Sequence, residues 1–305
     1  MAMRNTIFQV VLLLATILMV AWAARPLSVS ASASSAARWD NAGDTEEAPT
    51  ALTTTPKADF LMMQAQPRVK RKLAGKDLQL GQPIFIRIFK LSKELEVWML
   101  NKGKFRLFKR YSICSYSGYV GPKLYEGDWQ SPEGFYTVSA EQMNPKSRFH
   151  LSFNIGYPNK FDTERNCTGS AIMVHGKCVS EGCFAMGNRQ IEEIYLLAYQ
   201  AFLQGQESFS IHIFPFRMTK ANLSKHRSSP WYGFWSNLTA GYNAFERNHQ
   251  VPVISSKQGR YIYEEDQQQW IQKRWVLIQE KKKGRNKQKK RKKQQAVFES
   301  PKKQL

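Results

Sequence analysis

The sequence predicts a mainly β domain elaborated by helices, α+β overall. Three observations lead there. β-branched and aromatic residues gather in short runs at 84–89, 95–100, 105–108, 135–138 and 209–216, the composition that suits a pleated, packed surface. The first three runs are joined by short connectors, one of them carrying Asn101, Lys102 and Gly103, as a hairpin requires. Two later stretches instead repeat their apolar residues every three or four positions, the helical period.

Taken in order, residues 1–23 read as a secretory signal. Arg4 precedes an apolar stretch at 7–22, and Ala21 and Ala23 offer small residues for cleavage. An uncleaved membrane anchor is the alternative. Residues 24–77 read as a flexible spacer, rich in Ala, Ser and Thr and closing on basic residues from Arg68 to Lys76. The folded domain is expected over 78–218. It opens as a β-meander, and Tyr111 to Cys114 is expected to prolong the third strand. A Gly- and Pro-rich loop follows at 117–134, then a strand at 135–138.

The run Ile172, Met173, Val174 reads as a buried strand. Asn188 is placed to cap a helix whose buried face is Ile191, Ile194, Tyr195, Ala198 and Phe202, with Gly205 to end it. The strand at 209–216 ends at Pro215, and His212 within it reads as a core histidine. Residues 219–279 are expected to form a helical extension packed on the domain. Trp231, Trp235, Leu238, Tyr242 and Phe245 give it one packing face, and 261–278 is expected to be a further helix or an extended arm. Residues 280–305 read as a disordered basic tail.

The 305 residues carry a net charge of +21 with an ordinary 42% of hydrophobic residues. About half of that charge sits in the tail, where twelve Lys or Arg face one Glu over residues 281–305. Such a tail attracts polyanions. Export makes an anionic envelope surface the expected partner and nucleic acid the least fitting one. The four cysteines, Cys114, Cys167, Cys178 and Cys183, allow three full pairings that sequence leaves open. There is no Cys-x-x-Cys and the histidines are scattered, so no metal site is expected.

The chemistry concentrates at 172–187. His175 lies eight residues before Cys183, with Gly176, Ser180 and Gly182 between them. A histidine next to a cysteine can take the thiol proton and expose the nucleophilic thiolate. On spacing alone, a disulfide-bonded Cys183 and a core His175 remain an alternative.

The stretch His175-Gly176-x-x-x-Ser180-x-Gly182-Cys183, followed by Phe184-Ala185-Met186, resembles the catalytic signature of the L,D-transpeptidase (YkuD-type) family, in its YafK-like branch. Segments at 84–90, 117–118, 121–123, 126–128, 131–136, 212–218 and 229–232 are similar to that branch in the same order. The resemblance covers roughly residues 78–265. It implies a YkuD-like β-sandwich catalytic domain. It implies Cys183 as nucleophile, His175 as general base and the Gly176 carbonyl as orienter of the imidazole. Ser180 would support the turn, and Gly182 with Cys183 would supply oxyanion donors. Lys123, Asp128, Glu133 and Asn154 are taken as substrate contacts, the two carboxylates suiting a cationic amine.

Three departures stand out. Glu181 replaces the usual histidine before Gly-Cys, Ala185 stands near the place of the usual arginine, and the His-to-Cys interval is short.

The implied function is a periplasmic, cysteine-dependent L,D-transpeptidase. It would act on peptidoglycan stem peptides through a thioester and need no cofactor. A hydrolase on the same path, one that frees a wall-linked lipoprotein, is the alternative. A non-catalytic envelope-binding protein is the alternative of another class. Cys167 is expected to be an exposed thiol, and Cys114 and Cys178 to be buried thiols or a pair.

Overall fold

The computed structural model describes residues 52–264. The signal segment, the spacer up to residue 51, the end of the expected arm and the basic tail lie outside the described residues.

The centre is a five-stranded mixed sheet. It contains β1 (Ile84–Phe89), β2 (Glu94–Asn101), β3 (Lys104–Ser112), β5 (Gly134–Ser139) and β10 (Ser208–Phe214), in the order β3-β2-β1-β10-β5. The first three strands form the expected antiparallel meander. β1 lies parallel to β10, with Ile86 opposite Ile211, and β10 is antiparallel to β5.

Every residue of β1 is buried, so alternation divides it between two cores. Ile84, Ile86 and Ile88 join Leu95, Val97, Ile211 and Ile213 on one face. Phe85 and Phe89 point to the other. A strand covered on both faces is apolar at nearly every position, and the β-branched and aromatic residues around Arg87 made it legible.

Two helices supply the covers. α3 (Asn188–Leu203) buries Ile191, Ile194, Tyr195, Ala198 and Phe202 and touches β1. α5 (Tyr232–Asn248) buries Trp235, Leu238, Tyr242 and Phe245. Its Phe245 ring lies 4.8 Å from that of Phe85. Arg87 is buried on this second face. It bonds Glu96 at 2.8 Å and Glu246 at 2.5 Å, and its guanidinium lies over the Trp98 and Phe245 rings.

The N-terminal part departs from expectation. Residues 56–74 are not spacer: they form helix α1 (Pro56–Ala74), capped by the Thr55 side chain. Ala58, Met62, Ala65, Val69 and Leu73 are buried in the main core at helical spacing. Arg68 and Lys72 face α3. Arg68 pairs with Glu192 at 2.5 Å and Glu193 at 3.0 Å, while Lys72 and Lys109 also reach Glu193. Small alanines on the buried face and cations on its border give the composition of a linker to what is a core helix.

The second sheet is built from short strands: β4 (Ser115–Tyr116), β6 (Met143–Asn144), β7 (Ser152–Asn154), β8 (Met173–His175) and β9 (Phe184–Ala185), ordered β4-β9-β8-β7-β6. β3 ends at Ser112, so Cys114 belongs to the crossing from one sheet to the other, not to a prolonged third strand. Among the described residues, two mixed sheets with packed helices make the domain α+β.

After β10 come α4 (Lys220–Lys225) and α5, and then a hairpin, β11 (Val253–Lys257) with β12 (Arg260–Glu264). The start of the expected helix or arm is therefore a strand. Aromatic packing explains it: Tyr261 stacks on Phe161 at 4.0 Å and meets Phe135 edge-on at 4.7 Å.

Short helix α2 (Lys160–Glu164) carries a buried carboxyl, Asp162. Burial pushes it up to about 6, against a hydrogen bond from the Asn159 amide. A folded-state pKa above the unfolded value means this contribution to stability is complete below about pH 4. It is lost as pH rises through about 6, a change of about 2 to 3 kcal/mol. Asp162→Asn should flatten this loss, and thermal melts across that pH window measure it. Cys167, expected to be exposed, is 8% exposed and has a free thiol, because the chain after α2 turns inward with the Cys167 amide on the Asp162 carbonyl at 3.0 Å.

Candidate active site

β8 and β9 run parallel, with Val174 opposite Phe184 and His175 opposite Ala185. One step back, the same register sets Cys183 level with Met173. Cys183 is the residue just before β9, and His175 is the last residue of β8, so the parallel pairing brings both to the same part of the second sheet. The Met173 amide donates to Cys183 Sγ at 3.3 Å, which fixes the sulfur there. Cys183 is a free thiol, half-buried, so the alternative of a disulfide at this position is excluded.

His175 is buried at the end of β8. Its Nδ1 lies 2.6 Å from the Gly176 carbonyl oxygen. A carbonyl only accepts, so Nδ1 carries the proton and Nε2 keeps its lone pair. The Phe149 ring packs on the imidazole at 4.7 Å and limits its rotation. Gly176 is required by close approach: a Cβ there would meet the Phe149 carbonyl oxygen at 2.6 Å.

The turn before Cys183 is tied internally. Ser180 Oγ donates to the Cys183 carbonyl at 2.6 Å. Gly182 has φ +105°, open to glycine and strained for side-chain-bearing residues. Its amide donates to Ser117 Oγ. This corrects the expectation of a free oxyanion donor at Gly182, because that donor is already engaged. Ser131 Oγ also reaches the Cys183 carbonyl, at 3.4 Å. Both ends of the 117–131 loop thus touch the turn before Cys183. Ser117 carries a bond that sequence reasoning overlooked; a hydroxyl in a glycine-rich loop has no periodicity to reveal it.

A disulfide joins Cys114 to Cys178. Cys178 lies within the segment between His175 and Cys183. Of the open choices for these two cysteines, the pair is the one formed, and both are exposed rather than buried.

Electrostatics favour a neutral resting pair. Burial pushes the Cys183 thiol up, only partly offset by the Met173 amide. Burial pushes His175 down, partly offset by its bond to the Gly176 carbonyl. With both groups shifted that way, the proton rests on sulfur and the imidazole is neutral.

Residues 88–201 match the sequence profile of the L,D-transpeptidase catalytic domain, YkuD. The chain is 42% identical over 183 residues to YafK of Escherichia coli strain K12, across 60% of this chain and 74% of that protein. It belongs to the L,D-transpeptidase (YkuD) family. YafK of Escherichia coli O157:H7 matches to the same extent. Among solved structures, the helical cell shape determining protein Pgp2 of Campylobacter jejuni aligns with a TM-score of 0.37 at 18% identity, over 65% of this chain and 80% of that one. Bd1075 of Bdellovibrio bacteriovorus aligns with a TM-score of 0.32 at 21% identity, over 58% and 81%. No functional weight rests on likenesses of that size.

Within this L,D-transpeptidase domain, the other residues singled out from sequence have inward-facing bonds. Lys123 and Asp128 pair at 2.5 Å and are both nearly buried. Burial pushes Asp128 up, but bonds from Lys123 and the Leu124 and Gln130 amides outweigh it and hold the carboxyl below its usual range. The pair folds the 117–131 loop on itself. Asn154 accepts from the Gly156 amide at 2.9 Å and shapes the exit from β7.

Glu133 is 1% exposed. It pairs with the fully buried Lys90 at 3.1 Å and accepts from the Gly121 amide and Trp235 Nε1. The expectation that it faces a substrate amine is corrected, because its cation is internal. Glu133→Ala would strand the Lys90 charge, a loss of about 3 to 5 kcal/mol. Urea unfolding should report it. Among the described residues no group of three or more His, Cys, Asp or Glu is placed to hold a metal ion.

Proposed function

We propose that the protein is an envelope enzyme that acts on peptidoglycan stem peptides by cysteine acyl transfer, as an L,D-transpeptidase. One observation carries the reading. The Nδ1 bond to the Gly176 carbonyl leaves Nε2 of His175 as a base at the end of β8, the strand whose Met173 amide holds the free Cys183 thiol. His175 takes the thiol proton as Cys183 Sγ attacks the carbonyl of the L-centre at the third stem position. The Cys183 amide is the backbone donor proposed for the developing oxyanion. His175, now protonated, returns its proton to the leaving amine, and a thioester remains. An acceptor amine resolves it in the transferase. Water would resolve it in a hydrolase, which would free the stem or an attached lipoprotein.

The chemistry uses no cofactor in this scheme. A periplasmic site of action fits the substrate, and the basic tail is proposed to meet an anionic envelope surface. Incubation with purified muropeptides, followed by mass spectrometry, tests the reading. Cross-linked dimers support the transferase. Trimmed monomers with no dimers would move the assignment to the hydrolase. Unchanged substrate and no adduct on Cys183 would overturn both.

A further inference from the structure

We propose that the Cys114–Cys178 disulfide is a positioning element for the His175–Cys183 pair, holding the segment between base and nucleophile in its working turn. The proposal rests on the catalytic reading above. Cys178 stands near the middle of the seven residues that separate the two groups. Lys177, Cys178 and Val179 are all exposed, Val179 at 54%. The hydrogen bonds of this segment fall at its two ends. On one side, the Lys177 amide donates to Asn188 Oδ1 at 2.8 Å, and the Gly187 amide to the Lys177 carbonyl at 2.8 Å. On the other, Ser180 Oγ holds the Cys183 carbonyl and the Gly182 amide holds Ser117. The covalent link is what ties the exposed middle to the body.

The far end of that link is itself anchored beside the site. The Cys114 amide donates to the Ala185 carbonyl at 2.8 Å, and Ala185 lies opposite His175 in the parallel register. The path from Cys178 through Cys183 to Ala185, across that hydrogen bond to Cys114 and back through the disulfide, is a closed ring. The nucleophile lies inside it, and the base lies against its edge. Neither Cys114 nor Cys178 belongs to the hydrophobic cores. Cutting the link should therefore loosen the ring and leave both sheets in place.

Reactivity of Cys183 reads this directly. The full-length oxidised protein, the Cys114→Ser/Cys178→Ser variant and His175→Gln are alkylated with iodoacetamide from about pH 5 to 9, and the adduct on the Cys183 peptide is counted by mass. In the oxidised protein, alkylation near neutral pH should depend on His175. In the double variant it should fall about tenfold there, and its profile should follow an unassisted thiol.

Where the double variant does not fold, wild type cleaved by a dithiol replaces it. The dithiol becomes a cyclic disulfide as the two protein thiols form. It is then removed, and circular dichroism is recorded before alkylation. Reoxidation should restore the profile. An unchanged profile in a folded, severed protein overturns the proposal and leaves the catalytic reading standing. If His175→Gln does not alter the oxidised protein, there is no coupled pair to position, and both fall.

Discussion

Cys183→Ala is expected to abolish turnover of muropeptides, by about a thousandfold or more, because no other group supplies the nucleophile. The loss should be in kcat, with substrate binding retained, since the small side chain removes the reacting sulfur and leaves the walls of the site. The thioester adduct detected by mass in the wild type should be absent. The fold should persist: the Cys183 sulfur accepts one backbone bond from Met173, and Ser180 and Ser131 hold the turn through the Cys183 carbonyl, which alanine retains. Residual turnover within tenfold of wild type would sink Cys183 as nucleophile.

His175→Gln should cost about a hundred- to ten-thousandfold, the span of a positioned general base. Its signature is in the pH profile. Burial holds His175 below its ordinary 6.5, so the neutral base is available from mildly acidic pH upward. Wild-type kcat/KM should rise through an acid limb below 6.5 and level off across neutrality. Burial also holds the Cys183 thiol above its ordinary 9.0. In the variant, the acid limb should vanish and the remaining activity should climb only at alkaline pH, as the thiol ionises unaided. A variant that keeps the wild-type acid limb would mean that another group is the base.

Much of this arrangement was legible from residues alone, and the gaps have physical causes. β1 was readable as a dense run of β-branched and aromatic residues, and α3 because it buries large apolar side chains at the helical period. α1 was missed because two of its five buried positions are alanines, Ala58 and Ala65, and its cations find their carboxylates on α3, more than a hundred positions away. Glu133 looked like a loop carboxylate for the same reason, its partner Lys90 lying just past β1, more than forty positions earlier. His175 and Cys183 were found through a local motif. The engaged Gly182 amide was not, since the acceptor Ser117 comes from a separate loop. Sequence exposes contacts within an element better than contacts made by folding.

The parallel pairing of β1 with β10 has a consequence for how the protein is made. These strands are neighbours in the sheet, yet the whole second sheet, with both candidate catalytic residues, lies between them in the chain. Ile86 cannot meet Ile211 until that long intervening segment has emerged and drawn its ends together, which carries an entropic cost before any contact forms. The meander of β1 to β3 can assemble early and locally. The central sheet closes late, around a segment that must already be compact. Synthesis halted anywhere before β10 leaves β1 as an open apolar edge, the kind of surface that pairs with other chains.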